Sequence, residues 1–222
     1  MNLRRIPKPA VVALAACLML SVPVGAVENV DVRSKMDSDV TSRIESLART
    51  AKPKEEVSEV IFYGDSRVVG MSSACPGDAY VGEVAMGYDW MAGAGLSGLT
   101  SAMSALPDAD VVFCFGVNDP GNVDAYASWF NSFAESHPDR RIWFESVNPI
   151  ADGAAAANGY FTRNYMVTDF NARLSAAVGD RYLDVYSTLI SLGFGTWDGV
   201  HYDAGTYATI SEATKDEIEE KL

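Results

Sequence analysis

The sequence predicts an α/β fold in which one parallel sheet lies between two layers of helices. Apolar runs alternate with amphipathic segments from residue 57 onward, and one run, Asp110–Gly116, is apolar without alternation. Alternation of strands and helices is typical of parallel sheets, and a strand without polar alternation is expected to be covered on both faces. With 222 residues, the chain is long enough for one well-buried domain.

Five strands and five helices are predicted in alternation. The predicted strands are Val57–Tyr63, Tyr80–Met86, Asp110–Gly116, Arg141–Glu145 and Arg181–Val185. The predicted helices are Arg67–Ser73, Met91–Ala105, Val123–Glu135, Asn164–Val178 and Ala204–Leu222. A short alanine run, Ala154–Ala157, is predicted to be a loop. The five strands are expected to form a single parallel sheet in an α/β/α sandwich.

The first 26 residues have the pattern of a cleavable leader that directs secretion. Three basic residues precede an apolar segment, Val11–Leu20, and the small residues of Val24–Ala26 would allow cleavage after Ala26. The apolar segment is too short for a membrane span, so no stable membrane insertion is expected after the leader is removed. A lipid anchor at Cys17 is disfavoured because the apolar run continues past it. Residues 27–56 are predicted to be a helical or spacer segment, and residues 57–222 the folded domain.

Composition restricts the classes of partner. The chain carries 17 basic and 30 acidic residues, a net charge of −13, so binding to nucleic acid would be opposed by repulsion from phosphates. No metal-ligand spacing is visible, and neither a metal nor another cofactor is predicted. Without the leader, two cysteines remain, Cys75 and Cys114. Two unpaired thiols are favoured over a disulfide, because Cys114 lies inside a predicted buried strand.

Two short motifs at opposite ends of the chain carry the chemistry. Gly64-Asp65-Ser66 directly follows a predicted strand, and Asp198-Gly199-Val200-His201 places an acid and an imidazole three residues apart. A serine, an acid and a histidine are the parts of a nucleophilic hydrolase. The chain has only one other histidine, His137, in a turn-like sequence. His201 is therefore the candidate base.

Each motif also has an ordinary structural interpretation. Ser66 could cap the helix that follows it, since serine between a strand and a helix is a common N-cap. The sequence Asn118-Asp119-Pro120-Gly121 is also a common turn, and Asp198 could be another turn residue. Asp65 and Asp119 are predicted to have structural roles.

The order of these motifs resembles that of the SGNH (GDSL-type) hydrolase family. Gly64-Asp65-Ser66 matches the block that holds the nucleophile, which makes Ser66 the expected nucleophile. Gly116-Val117-Asn118-Asp119 matches the block whose asparagine helps form the oxyanion hole, here Asn118. Asp198-Gly199-Val200-His201 matches the block that supplies the orienting acid and the base.

The remaining block of the family is a single glycine after the second strand. Gly87 fits this position best, and Gly93 and Gly95 compete with it. The resemblance implies that the backbone amides of this glycine and of Ser66 complete the oxyanion hole. It also implies a flavodoxin-like three-layer fold, with the site beyond the carboxyl ends of the strands, where ligands bind in such sheets.

The resemblance further implies a serine esterase that works through an acyl-serine intermediate. Secretion, small size and the usual substrates of the family favour removal of O-acetyl groups from a polysaccharide or cell-wall glycan. The alternatives are a lipase, thioesterase or lysophospholipase of the same family, or a glycan-binding protein without activity. Trp90 and Trp197, next to two of the motifs, are candidates for the substrate pocket, with burial in the core as the alternative for each.

Overall fold

The structure is a computed structural model, and it describes residues 59–222. The predicted leader, the segment 27–56 and the first residues of the first predicted strand lie outside the described residues. All strands pair in parallel in one sheet of order β2-β1-β3-β4-β5. The strands are β1 (Val60–Gly64), β2 (Ala79–Gly82), β3 (Asp110–Cys114), β4 (Ile142–Glu145) and β5 (Tyr182–Leu183).

Helices follow each strand. The α-helices are α1 (Ser66–Ala74), α2 (Tyr88–Met91), α3 (Leu96–Ala105), α4 (Val123–Ser136), α5 (Asp152–Ala157), α6 (Asn164–Val178), α7 (Val185–Leu192) and α8 (Ala204–Lys221). Short 3-10 turns cover Pro120–Asn122 and Gly179–Arg181. Among residues 59–222, no helix combines the length and apolarity that a membrane span requires.

Side chains from the two faces of the sheet pack into two separate cores. In β1, Ile61 and Tyr63 face one core, and Val60 and Phe62 face the other, as the alternation of strand side chains requires. One core is closed by α3, α4 and α6, and the other by α1, α7 and α8. The predicted three-layer α/β/α fold with a five-stranded parallel sheet is therefore confirmed.

The second strand is shorter than the sequence predicts. It ends at Gly82 instead of Met86, because its partner β1 ends at the paired residue Gly64 and turns into α1. Beyond this point Ala85 has a φ of 60°, in the left-handed region that non-glycine residues seldom adopt. The chain that leads from β2 to Gly87 is therefore a loop.

Three predicted elements differ from the structure. The predicted helix Met91–Ala105 is two helices, α2 and α3, because the chain turns between them at Gly93 and Gly95. Residues Asp152–Ala157 form the short helix α5, where a loop was predicted. The last predicted strand stops at Leu183 and α7 follows, with the Asp184 carboxylate accepting a hydrogen bond from the Ser187 amide as its N-cap.

Candidate active site

Ser66, His201 and Asp198 form a continuous chain of hydrogen bonds. Oγ of Ser66 lies 2.8 Å from Nε2 of His201. On the other side of the ring, Nδ1 of His201 lies 2.7 Å from Oδ2 of Asp198. The imidazole thus contacts the hydroxyl with one nitrogen and the carboxylate with the other. This is the geometry that lets a histidine accept the proton of a serine hydroxyl.

Ser66 is the first residue of α1, directly beyond the carboxyl end of β1. The N-cap of this helix is Asp65, whose carboxylate accepts a hydrogen bond of 2.9 Å from the Arg67 amide. The alternative interpretation of Ser66 as the capping residue is therefore wrong, and its hydroxyl is left to face His201. Burial raises the pKa of Asp65 to about 6, although the neighbouring Arg67 acts in the opposite direction.

A tight turn holds Asp198 and His201 together. Oδ1 of Asp198 accepts hydrogen bonds from the amides of Val200 at 2.9 Å and His201 at 2.8 Å. Gly199 has a φ of 97°, a conformation that favours glycine. Partial burial opposes ionisation of Asp198, but hydrogen bonds from the His201 amide, Tyr160 and the imidazole hold the pKa of its carboxyl well below the ordinary range.

Tyr160 is a member of this site that the sequence did not predict. Its hydroxyl donates a 2.7 Å hydrogen bond to Oδ2 of Asp198 and lies 3.5 Å from Nδ1 of His201. This hydrogen bond raises the pKa of Tyr160, so the hydroxyl keeps the proton that it donates. Tyr160 belongs to none of the motifs and is 38 positions from Asp198, so only the folded chain reveals the contact.

Two backbone amides near Ser66 have no acceptor among the described residues. They belong to Ser66 itself and to Gly87, the residue before α2. The amides of Gly93 and Gly95, by contrast, both donate to the carbonyl of Trp90, at 3.2 and 2.9 Å. Of the three candidate glycines, Gly87 is thus the one whose amide is free to bind an oxyanion.

Asn118 lies after β3, the strand next to β1. Its Nδ2 donates a 2.7 Å hydrogen bond to the carbonyl of Met86, the residue before Gly87. A carboxamide has two N–H groups, so this bond orients the side chain and leaves the second N–H available. The side chain of Asn118 is exposed.

The carboxylate of Asp119 holds the Gly87 turn in place. Its carboxylate accepts hydrogen bonds from the Tyr88 amide at 2.8 Å, the Tyr126 hydroxyl at 2.6 Å and the Asn122 carboxamide at 3.0 Å. A Cβ atom on Gly87 would lie 2.6 Å from this carboxylate. Glycine is therefore needed at position 87 because the carboxylate packs directly against its backbone.

A cleft of about 490 Å³ opens beside Ser66 and His201; we call it the Ser66 cleft. One wall is a single face of α1, with residues spaced three or four apart. The lining residues are Ser66, Val69, Gly70, Ser73, Ala74, Val84, Trp197, Asp198, His201, Tyr202, Ala204 and Tyr207. Trp197 is 80% exposed on its rim. Apart from the reacting groups, the walls are mostly apolar.

The other predicted pocket residue and the second histidine lie elsewhere. Trp90 is half-buried, with its ring centre 5.5 Å from that of Tyr63 and 6.1 Å from that of Phe115. It is absent from the walls of the described clefts. His137 is the C-cap of α4, before β4 begins, and its Nδ1 contacts the Phe133 carbonyl at 2.8 Å. That position is at the amino edge of the sheet, away from Ser66.

A buried ionic cluster lies behind the nucleophile. Nη1 of Arg67 donates to the Asn148 carbonyl at 3.0 Å, and its guanidinium lies 5.2 Å from the ring centre of Tyr202. Glu145 is 2% exposed and accepts hydrogen bonds from Thr214 and Asn148. Burial raises the pKa of Glu145 to about 7. Since Arg67 directly follows Ser66 in α1, this cluster anchors the first turn of that helix.

Cys75 takes no part in this geometry, whereas Sγ of Cys114 lies 3.8 Å from Oε2 of Glu145 in the buried cluster. Cys75 and Cys114 are both free, and burial raises the pKa of the Cys114 thiol, so it stays protonated. Within residues 59–222, no group of three or more metal-binding side chains comes together.

Comparison with known structures identifies the fold. The chain superposes on the lipase/acylhydrolase from Enterococcus faecalis with a TM-score of 0.53 and 16% identity, over 74% of this chain and 97% of that one. It superposes on a protein from Slackia heliotrinireducens, proposed to be an SGNH hydrolase, with a TM-score of 0.55 and 15% identity, over 73% and 99% of the two chains. No protein-family model and no curated protein matches the chain. The chain therefore has the SGNH hydrolase fold that its motifs led us to expect.

Proposed function

We propose that this chain is a serine esterase that hydrolyses carboxylic esters through an acyl-serine intermediate. The observation that carries the proposal is the hydrogen-bonded chain from Ser66 through His201 to Asp198. Oγ of Ser66 attacks the ester carbonyl while Nε2 of His201 takes its proton. The alcohol then leaves with that proton, and the acyl group stays on Ser66. Water then attacks the acyl-serine carbonyl while His201 takes its proton, and the carboxylic acid leaves as Ser66 regains a proton.

The negative oxygen of each tetrahedral intermediate needs hydrogen-bond donors that are already in place. The proposed donors are the amides of Ser66 and Gly87 and the free N–H of Asn118. The first two have no acceptor in the described part of the chain, and the third is oriented by its bond to Met86. No donor has to break a hydrogen bond within the protein before it binds the oxyanion.

Asp198 would hold His201 in the tautomer with its proton on Nδ1, which leaves Nε2 free to accept the proton of Ser66. Tyr160 acts through Asp198, so we assign it as a positioning residue. Its hydroxyl fixes the carboxylate on the side away from the two backbone amides.

For the substrate, we propose an O-acetyl group on a polysaccharide or cell-wall glycan. An exposed Trp197 ring beside the reacting groups supports this, since aromatic rings in open clefts suit sugar rings. Secretion through the predicted leader would bring the enzyme to such a polymer. Intact mass of the exported protein, expected to begin at Val27, tests the leader independently of activity.

A second candidate is an esterase for longer acyl chains, and one observation favours it. The Ser66 cleft, about 490 Å³ with aliphatic walls at Val69 and Val84, is larger than an acetyl group requires. The two candidates predict opposite preferences in a series of p-nitrophenyl esters. An acetyl esterase prefers acetate, and a long-chain esterase prefers octanoate.

The experiment for the proposed function is hydrolysis of p-nitrophenyl acetate by the purified protein and by Ser66→Ala, each with and without a chelator. The wild type is expected to turn over and to resist the chelator, and Ser66→Ala to lose nearly all activity. Circular dichroism of the variant checks that it is folded. Undiminished turnover by Ser66→Ala would refute the proposal.

A further inference from the structure

Aromatic side chains are exposed at very few places in residues 59–222. The three exposed rings are Trp197 at 80%, Phe161 at 76% and Tyr165 at 69%. Trp197 lies on the rim of the Ser66 cleft. Phe161 and Tyr165 belong to a second depression, which shares none of its lining residues with that cleft. Because most aromatic rings are buried on folding, rings that stay exposed in a concave surface indicate a binding site.

We call this second depression the Phe161 groove. Its volume is about 820 Å³. One wall is the loop after β3 and the other is the segment that enters α6. The lining residues are Asn118, Asp119, Pro120, Gly121, Asn122, Phe161, Tyr165, Met166, Asp169 and Arg173. Asn118, the proposed oxyanion donor, is one of them, so the groove adjoins this donor.

The charges of the groove disfavour an anionic ligand. Arg173, the one cation among the lining residues, bonds to both carboxylate oxygens of Asp124 at 2.7 Å and lies 3.6 Å from Asp169. An anionic ligand would find no uncommitted cation in this lining, and the whole chain has a net charge of −13. For an uncharged ligand the lining offers two aromatic faces and the carboxamide groups of Asn118 and Asn122, each with an oxygen and a second N–H.

Aromatic faces combined with neutral amides match the chemistry of a sugar ring, which has C–H faces and hydroxyl edges. An ester in the middle of a polymer also has chain on both sides of it, so its enzyme needs an open surface next to the site as well as a pocket. The Ser66 cleft borders the nucleophile and base, and the Phe161 groove borders the oxyanion donor.

We propose that the Phe161 groove binds a stretch of a neutral polysaccharide, with sugar rings packed on Phe161 and Tyr165. This inference rests on the proposed function, and it names the substrate as a polymer that contacts the protein beyond the sugar bearing the ester. Phe161 and Tyr165 then determine preference for polymer over small esters.

Binding is measured first without turnover. Ser66→Ala is titrated by calorimetry with three soluble neutral polymers, arabinoxylan, glucomannan and N-acetylglucosamine oligomers. Saturable binding to at least one polymer is expected. Introducing Phe161→Ala and Tyr165→Ala together into the Ser66→Ala protein should weaken this binding about tenfold or more. Phe161→Trp should retain binding. Leu192→Ala, which removes a side chain that is 70% exposed on α7, should not change it.

Turnover is measured second, with Ser66 intact. The double variant should lower the ratio of kcat/KM for the acetylated polymer to kcat/KM for p-nitrophenyl acetate about tenfold. Absence of binding to all three polymers would overturn the inference, as would equal weakening by Leu192→Ala. So would a change in the ratio of octanoate to acetate hydrolysis without any loss of polymer binding, since the groove would then hold acyl chains.

The failures of the two proposals are distinguishable. Polymer binding by Ser66→Ala, combined with a wild type that hydrolyses no ester, would refute the esterase and leave the groove as a glycan site. Hydrolysis of aryl esters by a protein that binds none of the polymers would refute the groove and leave the esterase.

Discussion

The hydroxyl of Tyr160 and Nδ1 of His201 meet at the same oxygen, Oδ2 of Asp198, each 2.7 Å from it. The carboxylate divides its negative charge between these two donors. Tyr160 therefore orients, through Asp198, an imidazole to which it has only a 3.5 Å contact.

Tyr160→Phe is expected to lower kcat by roughly 10- to 100-fold, since a hydrogen bond to a charged group contributes roughly 1.5–3 kcal/mol. KM should change little, because Tyr160 does not line the Ser66 cleft and acts only through Asp198. Tyr186→Phe, a half-buried tyrosine of α7, is the control. A lower kcat together with a lower melting temperature than that of Tyr186→Phe would mean that Tyr160 only supports the fold.

Asp198→Asn should lower kcat by about 10⁴, because an amide favours the wrong tautomer of His201. Asp119→Asn should act mainly on stability, because the carboxylate accepts three hydrogen bonds around the Gly87 turn. Kinetics and thermal melts of both variants separate the two roles. Equal losses of kcat would leave the assignment of Asp198 unsupported.

Gly87→Ala should lower kcat by roughly 10²–10³, the usual effect of losing one oxyanion donor. The added methyl group would lie 2.6 Å from the Asp119 carboxylate and push the amide out of place. Gly153→Ala is the matched control, because nothing lies within 4 Å of its new methyl group. If Gly87→Ala keeps wild-type kcat, the oxyanion donor is not this amide.

The stability of the domain should decrease as the pH rises from about 4.5 to 7. Burial raises the pKa of Glu145 from 4.5 to about 7 and that of Asp65 to about 6, so in this range the folded state still holds protons that the unfolded state has released. Glu145→Gln should flatten this part of the curve of unfolding free energy against pH. Glu220→Gln, an exposed carboxylate of α8, corrects for the loss of one charge. An unchanged slope in Glu145→Gln would show that Glu145 does not cause it.

Much of the architecture is predictable because its signals are local. The apolar run of β3 and the motif Gly64-Asp65-Ser66 after β1 each span only a few residues. Both are found where they were expected. The division of one predicted helix at Gly93 and Gly95 was missed because the helical periodicity continues across both glycines. The early end of β2 was missed because strand length depends on the partner strand.

In the candidate site, the residues that lie in short motifs were predictable. Ser66, Asp198 and His201 were predicted from short motifs, and the structure brings them into hydrogen-bonding distance. Tyr160 was not predictable, since a tyrosine in a loop has no pattern that marks its partner. The choice of Gly87 over its competitors required knowledge of which amides already have acceptors.

The hydrogen bond between Ser66 and His201 joins residues 135 positions apart, and α8, which follows His201, packs against α1, which begins at Ser66. Contacts over such separations form late, because a long loop must close before they are gained. During synthesis on the ribosome, Ser66 is therefore present long before His201 can contact it. Hydrolytic turnover would then appear only with completion of the fold, which makes it a direct kinetic signal for docking of the last helix.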